Sequence, residues 1–141
     1  MILRKVASLI APTAALIAVG ALANVPPRRV PPVPKEFRLH GDASKGQAVY
    51  VSSCASCHGK KGDGRGVAGL ALVPPPAAFD DAKRMAGVTD WELFLAVFSG
   101  GPSVGLAATM PPWAGTLTEQ QIHDVVAFVK TMMMKPKPKA P

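Results

Sequence analysis

The sequence predicts an all-α domain: three main helices and long loops wrapped around a large apolar body that the chain does not supply. Three observations predict it. Three segments space their apolar residues as helices do and carry capping signals at their starts. No stretch alternates apolar and polar residues as a half-buried strand would. Two long connections, Gly59 to Val88 and Gly100 to Thr116, have no regular period, and a compact domain rarely holds so much irregular chain unless it encloses something. The chain has 141 residues, part of them in proline-rich ends, so a core made of protein alone would be thin.

The first helix is expected over Ala43 to Ser53. Asp42 stands where an N-cap belongs. Gly46, Tyr50 and Cys54 recur at i, i+4 and i+8 and share one face. A glycine inside a helix costs about 1 kcal/mol against alanine, which is understandable if another backbone packs against it. The second helix starts at "TDWE". Thr89 and Glu92 form a capping box, Trp91, Phe94, Leu95 and Phe98 form an apolar stripe, and "SGGP" (Ser99 to Pro102) stops it. The third starts at "LTEQQI", with Thr118 and Gln121 as a second capping box and Leu117 and Ile122 as a hydrophobic staple. Ile122, Val125, Val126 and Val129 then follow i, i+3, i+4, i+7.

The ends differ from this middle. Arg4 and Lys5 precede an apolar run from Val6 to Ala23 that closes on a small-x-small pattern at Ala21 and Ala23. That is the layout of a cleaved secretory signal peptide. The rival reading is a retained anchor: eighteen residues at ~1.5 Å each give about 27 Å, just short of a bilayer core. Residues 24–39 are rich in proline and basic residues and read as an extended tether. Residues 40–134 hold the folded domain, and 135–141 form a Lys/Pro tail.

The net charge of +7 lies in those ends. From His40 to Met134, seven basic residues meet eight acidic ones, so the folded part is near neutral. A nucleic-acid partner is not expected, because no basic face exists to bind one. Contact of the basic ends with an anionic membrane surface or an acidic partner fits better.

The chemistry is concentrated in "SSCASCHGKKGDGRG", Ser52 to Gly66. Its Cys54-x-x-Cys57-His58 core is the pattern of c-type haem attachment. Two thiols at that spacing meet the two vinyl groups on one haem edge, and the next residue falls beneath the iron. The free nitrogen of His58 should donate to a backbone carbonyl, and residues Val67 to Pro75 are candidates for the acceptor. The rival readings lack support. A thioredoxin-like site needs a βαβ context. A structural zinc site needs four ligands, and only His40 and His123 remain as nitrogen donors. A disulfide across Cys-x-x-Cys closes too short a loop to stabilise much. "GRGVAG" matches a dinucleotide-binding pattern but follows no strand, and is expected to be a close-approach loop at the haem edge.

For the second axial position, Met110 is favoured. It heads "MPPW", where Pro111 and Pro112 stiffen the backbone. Met85 has nothing to hold it still, and Met132 to Met134 are expected to pack or fray. His123 is expected on a solvated helix face, and His40 has no neighbours that argue for a site. Asp80 and Asp81 read as solvated or as a helix cap.

"GDASKGQAVYVSSCASCHG" and "MPPWAGTLTEQQIHDVVAFVKTM" together resemble the bacterial monohaem class I cytochromes c, over nearly all of Gly41 to Met134. Gly46 and Tyr50 match the family's helix-crossing positions, with partners at Val125 and Phe128. The resemblance implies the small cytochrome c fold around one covalent haem c, bound through Cys54, Cys57, His58 and Met110. It also implies a periplasmic protein, soluble or anchored to the inner membrane, that passes single electrons between a redox donor and acceptor as a carrier or a complex subunit. No general base or nucleophile is evident, so the chain is not expected to be an enzyme. The alternative is a haem enzyme or ligand sensor with an open or labile sixth site.

Overall fold

The computed structural model describes residues 30–134. The expected signal peptide or anchor at 1–23, the first part of the 24–39 tether and the 135–141 tail lie outside the described residues. Among the described residues five α-helices follow one another: α1 (Ala43–Ser53), α2 (Ala55–His58), α3 (Ala82–Met85), α4 (Asp90–Ser99) and α5 (Glu119–Met133). Short 3-10 turns occupy Val67–Gly69 and Gly101–Val104. The described residues contain no strand, only an isolated bridge between Ala114 and Leu117.

The starts of α1, α4 and α5 are fixed by side chains. The Asp42 carboxylate accepts the Ser44 N–H at 2.9 Å. Thr89 Oγ1 accepts from the Glu92 N–H at 3.1 Å. At α5 the capping box is complete: Thr118 Oγ1 accepts the Gln121 N–H at 3.2 Å, and Gln121 Oε1 accepts the Thr118 N–H at 2.9 Å. Such caps satisfy donors that the first helical turn leaves orphaned, each worth about 1 kcal/mol. Leu117 packs on the cluster that holds Ile122, as a staple should. Asp81 caps α3 through the N–H groups of Lys83 and Arg84, both at 3.1 Å.

α1 packs most extensively on α5. A Cβ on Gly46 would run into the Asp124 carbonyl and the Val125 nitrogen, so the two backbones cross in contact there. One turn on, Tyr50 is fully buried. Its ring lies 5.4 Å from that of Phe128, and its hydroxyl donates to the Gly59 carbonyl at 2.7 Å. Burial pushes the Tyr50 phenol far above its usual range. Tyr50, Val125, Val129, Met132 and Phe79 form one apolar cluster. Phe94, Ile122 and Val126 form a second, between α4 and α5. Fully burying side chains such as Ile122 and Val125 contributes roughly 1.5–3 kcal/mol each.

The structure corrects two expectations. His123 is not on a solvated face: it is 3% exposed. His40, expected to have no telling neighbours, lies against it with ring centroids 3.7 Å apart and the planes tilted by 35°. Both departures have one cause. Residues 37–40 fold back over α5, and Phe37 inserts among Trp91, Phe94 and His123. Trp91 Nε1 also donates to the Pro31 carbonyl at 3.0 Å, so the stretch just upstream of the helices lies against α4.

Candidate functional site

The candidate site begins at the join of α1 and α2. Cys54 is the residue between them, and its N–H still donates to Tyr50 at 2.9 Å. The His58 N–H returns to the Cys54 carbonyl at 2.9 Å. One tight helical turn therefore carries Cys54, Cys57 and His58. The following loop folds back on this turn: Gly64 N–H donates to the His58 carbonyl at 2.9 Å, and Gly66 N–H to that of Cys57 at 3.1 Å. The "GRGVAG" stretch is thus a brace for the CASCH turn. The two cysteines are partly buried and are not joined to each other by a disulfide. Burial, with Cys57 close by, pushes the Cys54 thiol up to about 11.

The His58 Nδ1 lies 3.1 Å from the Ala77 carbonyl oxygen. A carbonyl can only accept, so Nδ1 carries the proton and Nε2 keeps its lone pair. The acceptor falls two residues beyond the expected span of Val67 to Pro75. It is a backbone atom positioned by a distant contact, the Phe79 N–H to the Gly62 carbonyl at 2.6 Å. Phe79 itself lies parallel to the His58 ring, with centroids 4.8 Å apart. Burial holds the His58 imidazole below its usual range. The Ala77 bond opposes that and nearby Arg84 adds to it. The neutral form is the one that can ligate a metal.

Met110 arrives on a loop pinned to the end of α4. Its carbonyl accepts the Gly101 N–H at 3.0 Å, and Trp113 and Ala114 donate to Val97 and Phe98 at 3.0 and 3.1 Å. Gly100 makes this approach possible. It sits at φ 84°, ψ 167°, a region essentially restricted to glycine. A Cβ there would lie 3.0 Å from both the Met110 oxygen and the Pro112 nitrogen.

Cys54, Cys57, His58 and Met110 all line one cleft, whose empty volume including its open mouth is about 950 Å³. Its other walls are mostly apolar: Leu72, Pro74 to Pro76, Phe79, Val97, Leu106, Val125 and Val129. Arg84 is the only charged side chain among the described lining residues. The remaining candidates, Met85, Met132 to Met134, His40 and His123, do not line it. Met132 is buried in the Tyr50 cluster. The residues fit a covalently held haem: two thiols at vinyl spacing, an imidazole with a fixed tautomer, a thioether, and a large apolar space.

The family profile described as "Cytochrome C oxidase, cbb3-type, subunit III" matches residues 41–129. The chain is 30% identical to a cytochrome c of Tetrahymena pyriformis over 108 residues, 70% of this chain and 99% of that protein. It is 38% identical over 95 residues to the gluconate 2-dehydrogenase cytochrome c subunit of Pantoea cypripedii, 63% of this chain but only 20% of that one. A solved chain of the Kuenenia stuttgartiensis reducing HAO-like protein complex aligns over 75% of this chain and 51% of its own, with TM-score 0.52 and 27% identity. A profile spanning most of the folded region, together with a relative matched over nearly its whole length, shows that the chain belongs to the monohaem class I cytochromes c and carries one covalent haem c.

Proposed function

We propose that the chain passes single electrons through its haem in the periplasm, with Cys54 and Cys57 as thioether anchors and His58 and Met110 as axial ligands. The observation that carries this reading is the convergence of these four side chains on one apolar cleft. The haem supplies a one-electron couple of its iron. The chain's residues set how that couple behaves. The Ala77 carbonyl keeps the His58 proton on Nδ1, which fixes the ring and raises the basicity of Nε2. Met110 offers a soft sulfur donor, which favours the reduced state and raises the potential. The apolar walls exclude water and disfavour added charge, and the positive charge of Arg84 acts in the same direction.

Relatives named as cytochromes c support reading the chain as a carrier or an electron-transfer subunit rather than as an enzyme. The subunit form draws support from relatives whose names place them in a dehydrogenase and in a multiprotein complex. The leader-like segment 1–23 and the Pro-rich tether 24–39 support export, and attachment beside the inner membrane if the leader is retained. No helix among the described residues is long and apolar enough to cross a membrane. Leu106 at the cleft and the exposed Leu70 and Val73 give a redox donor or acceptor an apolar surface to dock on. The basic ends suit an anionic membrane surface.

A redox titration of the purified haem-loaded chain tests the proposal. It should follow a single one-electron curve, and Met110→His should lower the midpoint while the haem stays covalently attached. An unchanged midpoint in Met110→His removes Met110 from the iron.

A further inference from the structure

His123 is buried in a cage of rings: His40 at 3.7 Å, Phe94 at 4.7 Å and Phe37 at 5.9 Å between centroids. Its Nδ1 is shielded from solvent and has no hydrogen-bond partner. Two of the three caging rings, Phe37 and His40, come from the chain segment upstream of α1. Among the described residues, that segment is held by Phe37 and Leu39 packed on the second cluster, by Trp91 Nε1 on the Pro31 carbonyl, and by the His40 ring against His123. Its downstream end is fixed, because the Asp42 N–H donates to the Asp124 carboxylate at 2.7 Å and Gly41 lies directly on the His123 and Asp124 backbone.

We propose that residues 31–40 form a clasp on the haem domain that opens when the caged His123 ring takes up a proton. A neutral His123 ring sits among these rings without penalty. A proton on His123 puts a charge among aromatic rings and creates an Nδ1–H that lacks an acceptor. The charged groups on the packed elements do not cancel this. Glu119 stands 4.0 Å from Nε2, is largely solvated, and lies on the ring's other nitrogen. Asp124 is engaged by Asp42 N–H and Gln120. On α4, Asp90 is paired with Lys130 at 2.6 Å, and Glu92 is buried beside the second cluster. Arg38, on the clasp itself, bonds the Lys35 and Phe37 carbonyls and adds positive charge. Burial and His40 together hold His123 below its ordinary range, in keeping with a neutral ring in the closed clasp. Opening frees ten residues of chain, a reach of about 33 Å, and uncovers the slot lined by Trp91, Phe94 and His123. Acid conditions thereby loosen the link between the haem domain and whatever lies upstream of it.

Hydrogen exchange at the Trp91 indole N–H, followed by NMR on the full haem-loaded ferrous chain, tests this. After correction for intrinsic exchange, protection at pH 5 should be at least tenfold below that at pH 7.5. His123→Phe keeps an aromatic ring in the cage, and should hold protection constant across that range. His40→Gln leaves a single imidazole and should shrink the change. Equal protection at both pH values in the unaltered chain overturns the proposal. So does an undiminished pH response in both variants. If His123→Phe fails to fold, the His40→Gln comparison and the direct titration of the His123 imidazole decide the matter. A His123 ring that stays neutral while the clasp opens would also overturn it.

Discussion

The Nδ1 of His58 sits 3.1 Å from the carbonyl oxygen of Ala77, nineteen residues further along the chain. This bond decides which nitrogen of His58 faces the cleft. It also explains why the loop from Gly59 to Val88 is long yet ordered. The loop must return past the CASCH turn to present one carbonyl at one place, and Phe79 secures it by inserting beside Tyr50 and Met132.

The helix crossing should be the least tolerant point of the scaffold. In Gly46→Val, the new side chain would meet the Asp124 carbonyl, and α1 and α5 would have to separate. The expected cost is about 3 kcal/mol, the upper part of the range for overpacked cores. Urea unfolding of the haem-loaded variant followed by circular dichroism measures it. A loss within about 0.5 kcal/mol of zero, as at ordinary surface sites, would mean the crossing is not tight.

Gly100 should matter for the Met110 loop more than for the helices. Gly100→Ala forces a side chain into a backbone region that costs of order 1–3 kcal/mol and crowds the Met110 carbonyl. Helix content should stay near that of the unaltered chain. Thermal unfolding should move lower, and the midpoint potential should shift as Met110 is displaced. If stability falls but the potential does not move, Gly100 serves only its own turn.

Stability should depend on pH through His123. Its pKa is lowered in the folded chain and near 6.5 when unfolded. Between those values the unfolded state binds more protons, so stability rises with pH. The contribution is fully present above about pH 6.5 and is lost as pH falls toward the folded value. Urea midpoints at pH 5 and pH 7.5 should differ in that direction, and His123→Phe should narrow the difference. A difference of the same size in the variant would assign the effect to other groups.

Much of this was legible in the sequence, for identifiable reasons. α1, α4 and α5 announce themselves because Asp42, Thr89 and Thr118 are local caps, each acting on residues two or three positions away. The CASCH turn is legible because covalent chemistry fixes its spacing. α2 and α3 are four residues each, too short to show a period, although the carboxylate of Asp81 marked a helix cap as one option. The acceptor for His58 was placed too early because it is a main-chain oxygen, which any residue supplies. The sequence around His123 looks solvated because Gln120 and Gln121 precede it. Its burial comes from Phe37 and His40, more than eighty residues away, and no local pattern carries that. The signal that was present is that Ile122 to Val126 are buried without interruption, as befits a helix packed on several sides; the sequence shows this only as a valine-rich run around one histidine.

Near-infrared absorption of the ferric haem-loaded chain tests whether Met110 completes the coordination begun by His58. We expect a methionine-to-iron charge-transfer band in the unaltered chain, absent in Met110→Ala, with carbon monoxide binding readily only to the reduced variant. A ferric spectrum without that band in the unaltered chain, together with ready binding of cyanide or carbon monoxide, would contradict the claim.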